Sequence, residues 1–256
     1  GDSARAFVAG MLKTLPEAMC AVAPDGCYPE GPMYWNYGMT FNVFALAMCE
    51  SAFGSTLALD DEPGFRETAS FPELMTGPSG RFFNFSDSGD RRSQMPALWW
   101  LSRRFDRPDL VGGIEGRLFD AASAQRGVGM ELENRVARDF PVSLLWYRPV
   151  PAGVKPQTPD VWVARGPMPV AVQCSGREDP DCTYVGLKGG SPSFNHGHKD
   201  GGSFVLDMLG ERWVEDPGRE NYSKVEAQLG GRFWAPENDS PRWEVFRLGA
   251  QGHNVF

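Results

Sequence analysis

The sequence predicts an α+β protein with its helices and strands in separate blocks. Two observations carry this. Apolar residues recur at helical spacing through about residue 150, and at alternating spacing after residue 160. Between the blocks, residues 148–160 (RPVPAGVKPQTPD) hold four prolines and read as a linker. Segregated blocks argue for two domains, 1–150 and 151–256, rather than for alternating βαβ units.

In the first block, Ala4–Met19 (ARAFVAGMLKTLPEAM) has helical spacing and stops before the turn APDG. Tyr37–Phe53 is apolar on most sides, as expected of a helix buried among helices. Pro96–Phe105 and Leu110–Ala124 read as a further pair, with Pro108 and Asp109 opening the second. Phe140–Tyr147 reads as a last short helix. In the second block VWVARG, VAVQCSG, TYVGLKGG, GSFVLDMLG, ERWVED and WEVFRLG are strand-length pieces punctuated by glycine, the mark of antiparallel sheet.

At 256 residues the chain is long enough to bury a sizeable core. A net charge of −8 gives no basic face for nucleic acid, and no apolar run is long enough to span a membrane. Eight tryptophans and seventeen phenylalanines supply flat apolar surface, most of it expected in the core and some suited to sugar rings. None of the five cysteines forms a Cys-x-x-Cys pair, so a zinc ribbon is excluded. Cys174 and Cys182 flank the polar turn SGREDPD and are expected to face each other across a hairpin, as a disulfide or as thiols. The opening residues GDSARAF are neither a signal peptide nor a start at methionine, so the chain reads as processed or cut and gives no direct sign of compartment.

Two of the three histidines sit in one phrase, Asn195-His196-Gly197-His198-Lys199-Asp200. If the phrase is extended, a period of two puts His196, His198 and Asp200 on one face. His253 and Asp216 each follow an expected strand and can be brought alongside by antiparallel pairing. Two imidazoles and a carboxylate suit a divalent ion such as zinc. The residues alone leave open which histidine binds metal, and a structural role for both remains the plain alternative.

The segment YVGLKGGSPSFNHGHKDGGSFVLDMLGERWVEDPGRENY resembles the sandwich signature of heparinase II/III-like proteins. DGCYPEGPMYWNYG resembles the toroid loop and helix of that family, and GHNVF its later metal-histidine strand. The resemblance implies a partial (α/α) toroid followed by an antiparallel β-sandwich, with a cleft between them. It implies a lyase that cleaves an acidic, uronate-containing polysaccharide by β-elimination, acting in the periplasm or as a secreted protein. It gives His196 the catalytic position, and His198, Asp216 and His253 a divalent-metal site, usually zinc and mainly structural. The family toroid is longer than the helices visible here and its sandwich has more strands, so the chain resembles only part of each.

The chemistry agrees with these residue types. Elimination needs the carboxylate neutralised, a base for the adjacent proton and an acid for the departing oxygen. On the toroid side, Glu30, Tyr34 and Tyr37 are catalytic candidates, with Tyr34 the preferred phenol. Trp35 is the candidate for sugar stacking, and Asn36 and Asn195 for substrate contact; packing of the helix start is the competing role for these aromatics. One departure stands out: the region where such lyases carry a further catalytic tyrosine, near FPELMTGPSGRFFNFSDSGD, offers only Phe82, Phe83 and Phe85. Other readings remain open. Glu30 with Asp87 or Asp90 would suit a hydrolase, His196 with His198 a metal-assisted hydrolase, and loss of chemistry a sugar-binding protein.

Overall fold

The computed structural model describes residues 1–112, 114, 141–155, 157–235 and 237–255. Six helices are labelled here: α1 (Asp2–Met19), α2 (Pro32–Phe53), α3 (Phe71–Leu74), α4 (Pro96–Phe105), α5 (Asp109–Gly112) and α6 (Tyr222–Leu229). Residues 141–146 are also helical. Most of the helix expected at Leu110–Ala124 lies outside the described residues.

α2 begins five residues before the apolar periodicity suggests, because Pro32 sits at its first position, where a missing N–H costs nothing. Trp35, Met39, Val43 and Leu46 fall at helical spacing and are fully buried. Gly54 ends the helix in the left-handed conformation that glycine adopts without strain. α4 starts at Pro96 and buries Trp99, Trp100 and Leu101 against α2.

The strands β1 (Val161–Val163), β2 (Val170–Cys174), β3 (Tyr184–Lys188), β4 (Phe204–Met208) and β5 (Glu211–Val214) form one antiparallel sheet in chain order. This is an α+β architecture. Among the described residues there is one sheet, and the expected strand WEVFRLG is instead turns around a short 3₁₀ segment, Pro241–Glu244. Alternation along β2 to β4 sends Val170, Val172, Cys174, Tyr184, Gly186, Lys188, Val205 and Asp207 to one buried face.

Register sets Val172 beside Gly186 and Gly186 beside Val205. Gly186 is required there, since a Cβ would stand 2.5 Å from the Phe83 ring. Phe82, Phe83 and Phe85, in the region that lacks the expected tyrosine, are core residues under the sheet. One apolar core runs from Trp35 and Trp100 in the helices to Val172 and Val205 in the sheet. Cys174 and Cys182 face each other across the β2–β3 connection as free thiols, with sulfurs 3.1 Å apart.

Candidate active site

The phrase NHGHKD is a turn between β3 and β4, not a strand. His196 has a φ of +56°, a conformation rare for a side chain with a Cβ, and this breaks the period of two. His196, His198 and Asp200 therefore do not share a face. His196 is half-buried, while His198 and Asp200 are sealed. Asp200 belongs to the scaffold: it pairs with the buried Lys188 and accepts from the Ser86 N–H at 2.8 Å.

Ser86 lies in the loop after α3, and its neighbour Asp87 donates its backbone N–H to the His196 carbonyl at 3.1 Å. These two anchors dock the loop on the turn. The same loop holds the start of α2, since Ser88 Oγ accepts from the Met33 N–H at 3.0 Å. The approach is close: a Cβ on Gly31 would lie 2.7 Å from that of Ser88. Tyr34, on the first turn of α2, is thus fixed beside His196. Their rings stack with centroids 4.2 Å apart and an interplanar angle of 25°.

The fourth contributor is Tyr222, at the start of α6, whose first turn is capped by the Asn221 side chain accepting from the Lys224 N–H. Tyr222 donates to Asp87 Oδ2 at 2.6 Å. Its hydroxyl lies 2.9 Å from that of Tyr34 and 2.8 Å from His196 Nδ1. His196 Nδ1 is also 3.1 Å from Asp87 Oδ2. Trp234 sits edge-on to both His196 and Tyr222.

The electrostatics follow from this crowding. Burial pushes Asp87 towards neutrality, but hydrogen bonds from His196, His198 and Tyr222 outweigh it and hold the carboxyl well below its usual range. Tyr222 is pushed far up by burial and then by the Asp87 charge. Tyr34 is pushed up chiefly by burial, with its hydrogen bond to Tyr222 working against the shift. Both phenols therefore stay protonated at neutral pH. Glu30 is raised first by burial; His196 lowers it and Asp87 raises it, so all three groups lie within reach of one another's charge.

Behind His196 is a buried histidine pair. The C-terminal segment runs beside the start of β4, where Asn254 accepts from the Phe204 N–H at 2.9 Å and donates to its carbonyl at 2.7 Å. This brings His253 to Asp216, with Nδ1 and Oδ2 2.7 Å apart. Burial lowers the His253 pKa, but its bond to Asp216 outweighs this and raises it. His198 Nε2 meets Asp87 Oδ1 at 2.8 Å. In the neutral imidazole, the ring nitrogen facing a carboxylate carries the proton, which leaves His198 Nδ1 and His253 Nε2 as acceptors. Both are buried without a hydrogen-bond partner, and the rings are 5.4 Å apart.

Two orphaned imidazole nitrogens, each with a carboxylate behind its ring, fit the donor set of a divalent ion. Asp216, the third ligand that the resemblance implies, contacts His253, and its carboxylate is engaged by neighbours in this structure. Its Oδ2 is taken by His253 and Ser203 and its Oδ1 by the Gly218 N–H. Among the described residues no three of His, Cys, Asp and Glu are grouped as ligands.

The sequence matches no protein-family model and no curated protein. Among solved structures, a mutant heparan sulfate lyase from Pedobacter heparinus matches with a TM-score of 0.51 at 18% identity, over 89% of this chain and 31% of that one. A heparinase III gene product matches with a TM-score of 0.50 at 15% identity, over 86% of this chain and 31% of that one. The fold is heparinase-like. At these identities the likeness is one of fold, and this chain spans about a third of the length of the two structures.

Within the heparinase-like fold, the candidates separate clearly. Glu30, Tyr34 and His196 gather at one place. Tyr37 does not join them: it is 60% exposed and packs edge-on against Phe41. Trp35 is a core residue, fully buried and donating to Thr68 Oγ1 at 2.8 Å, so it presents no face to a sugar. Asn36 donates to Ser93 Oγ and the Gln94 carbonyl, which ties α2 to the segment before α4. Asn195 is exposed at the tip of the turn. Asp87 is sealed among its partners and Asp90 is paired with Arg81, so neither forms an open carboxylate pair with Glu30.

Sequence reasoning missed two participants. Asp87 was considered only as a hydrolase carboxylate, and Tyr222 not at all. The single local hint for Tyr222 was Asn221, a helix-capping residue that marks the start of an unexpected helix. No local signal points to Asp87, because a loop contact across 109 residues leaves no pattern in sequence.

Proposed function

We propose that the chain carries the proton-transfer site of a lyase that cleaves a uronate-containing polysaccharide by β-elimination. The observation that carries this is the cluster of His196, Tyr34 and Tyr222 around the buried Asp87 carboxylate. The heparinase-like fold supports it, and the likeness to a heparan sulfate lyase makes heparan sulfate the first polymer to test.

In this reading His196 is the base. Its Nδ1–H is held on Asp87 and Tyr222, which leaves the Nε2 lone pair to take the proton beside the uronate carboxylate. Tyr34 is the acid, since a phenol kept protonated by burial suits donation to the departing glycosidic oxygen. Arg219, exposed and three residues before Tyr222, is the cation we assign to the substrate carboxylate. A divalent ion held by His198 and His253, with zinc suited to two imidazoles, would pin the turn that presents His196 and supply no reacting group. We accordingly propose a periplasmic or secreted location, where such polymers are met.

Incubation with heparan sulfate, alginate and other uronate polymers tests the reading. Rising ultraviolet absorbance from an unsaturated sugar end is expected, and His196→Ala should lower it by about 10²–10⁴-fold while the protein stays folded. New reducing ends without that absorbance would favour hydrolysis and sink the proposal.

A further inference from the structure

Asp87 touches both the reacting cluster and the buried histidine pair. Its two oxygens face opposite ways: Oδ1 meets His198 Nε2 at 2.8 Å, and Oδ2 meets Tyr222 Oη at 2.6 Å and His196 Nδ1 at 3.1 Å. Both oxygens are fully buried within a side chain that has no exposed surface. Its backbone is fixed as well, since its N–H donates to the His196 carbonyl and the preceding residue is bonded to Asp200. A carboxylate accepts several hydrogen bonds and donates none. It therefore dictates where the protons sit on both rings. In their neutral forms, His198 carries its proton on Nε2, which bares Nδ1, and His196 carries its proton on Nδ1, which bares Nε2.

We propose that Asp87 is a positioning residue that couples the ion-binding histidine pair to His196, setting the tautomer of both rings through one carboxylate. This rests on the lyase reading for its kinetic consequence only; the effect on ion binding stands apart from it. Asp87→Asn is the informative change. The amide keeps the shape but offers one acceptor and one donor, so it cannot accept from His198 and from His196 and Tyr222 on separate oxygens. One of the two sites then loses its orientation.

The test measures zinc affinity of the whole chain by competition with a chromogenic chelator, together with kcat and KM on any polymer that is cleaved. Asp87→Asn is expected to weaken zinc by 10–100-fold, the usual effect of removing a ligand's orienting partner. It should also lower kcat with KM nearly unchanged, whereas His196→Ala should lower kcat and leave zinc affinity as it was. A folded Asp87→Asn protein with zinc affinity within twofold of wild type overturns the proposal, as does a wild-type chain that binds no zinc. Zinc binding that depends on Asp87 in a protein that cleaves no uronate polymer sinks the lyase reading and leaves the coupling standing. Should Asp87→Asn not fold, the wild type supplies the readout. Zinc should change the rate at which diethyl pyrocarbonate modifies His196, measured residue by residue by mass spectrometry. An unchanged rate overturns the coupling.

Discussion

His196 occupies a backbone conformation that most residues with a Cβ avoid, and the adjoining loop does the same at Ser86, with φ values of +56° and +55°. Such positions persist where surrounding contacts over-determine them, and here each is clamped by a buried hydrogen bond. The two phenols beside His196 are alike in chemistry and differ in their surroundings. Tyr222 is committed as a donor to Asp87, while the Tyr34 hydroxyl bonds to Tyr222. Tyr34→Phe is therefore expected to reduce kcat by about 10²-fold or more, as removal of a general acid does. Tyr222→Phe should cost less, since it removes an orienting bond. Steady-state kinetics on one cleaved polymer decide this, and the opposite ranking would exchange the roles of the two tyrosines.

At the scale of elements, the site forms where four segments meet: the start of α2, the loop after α3, the turn between β3 and β4, and the start of α6. Loops carry Asp87 and His196, and the first turns of two helices carry Tyr34 and Tyr222. The helix α2 was legible from Trp35, Met39, Val43 and Leu46, whose spacing survives in the structure as a buried stripe. β2 and β3 were legible from alternation. The turn at 195–200 was not, because the His-x-His-x-Asp spacing has the period of a strand although no partner strand pairs with it. The β2–β3 connection makes its own prediction. With Cys174 and Cys182 sulfurs 3.1 Å apart, oxidised glutathione should convert the pair to a disulfide, with loss of two hydrogens by mass. Closing so short a loop should stabilise the fold by about 2 kcal/mol, read by denaturant unfolding. A pair that stays reduced under those conditions contradicts this.

Across the whole molecule, helices and sheet share one core, so unfolding of either block should carry the other with it. Buried ion pairs are distributed through that core. Asp60 illustrates their effect on pH: burial raises its pKa, but bonds from Arg104 and Thr56 prevail and lower it below 3.8. A carboxyl lowered in the folded state contributes stability above its unfolded pKa and loses it as pH falls through the folded value. Thermal stability should thus be insensitive to this group above about pH 5 and fall in more acidic buffer. Asp60→Asn should flatten that acid limb, and an unchanged limb would assign the acid loss to other carboxylates. No helix among the described residues is long and apolar enough to cross a membrane.

The sequence by itself determined the helical character of the first block, the buried face of α2 and the antiparallel strands that follow the linker, and it singled out His196, His198 and His253 as candidates, but it did not show the helix α6 that follows the strands. These are properties of local period and of rare residues, which a chain carries in its own order. Only the tertiary structure decided that Trp35 is core, that Asp216 serves His253, and that Asp87 and Tyr222 complete the cluster. Contacts between residues more than a hundred positions apart depend on how separate elements pack. No local pattern encodes which loop will arrive beside which turn.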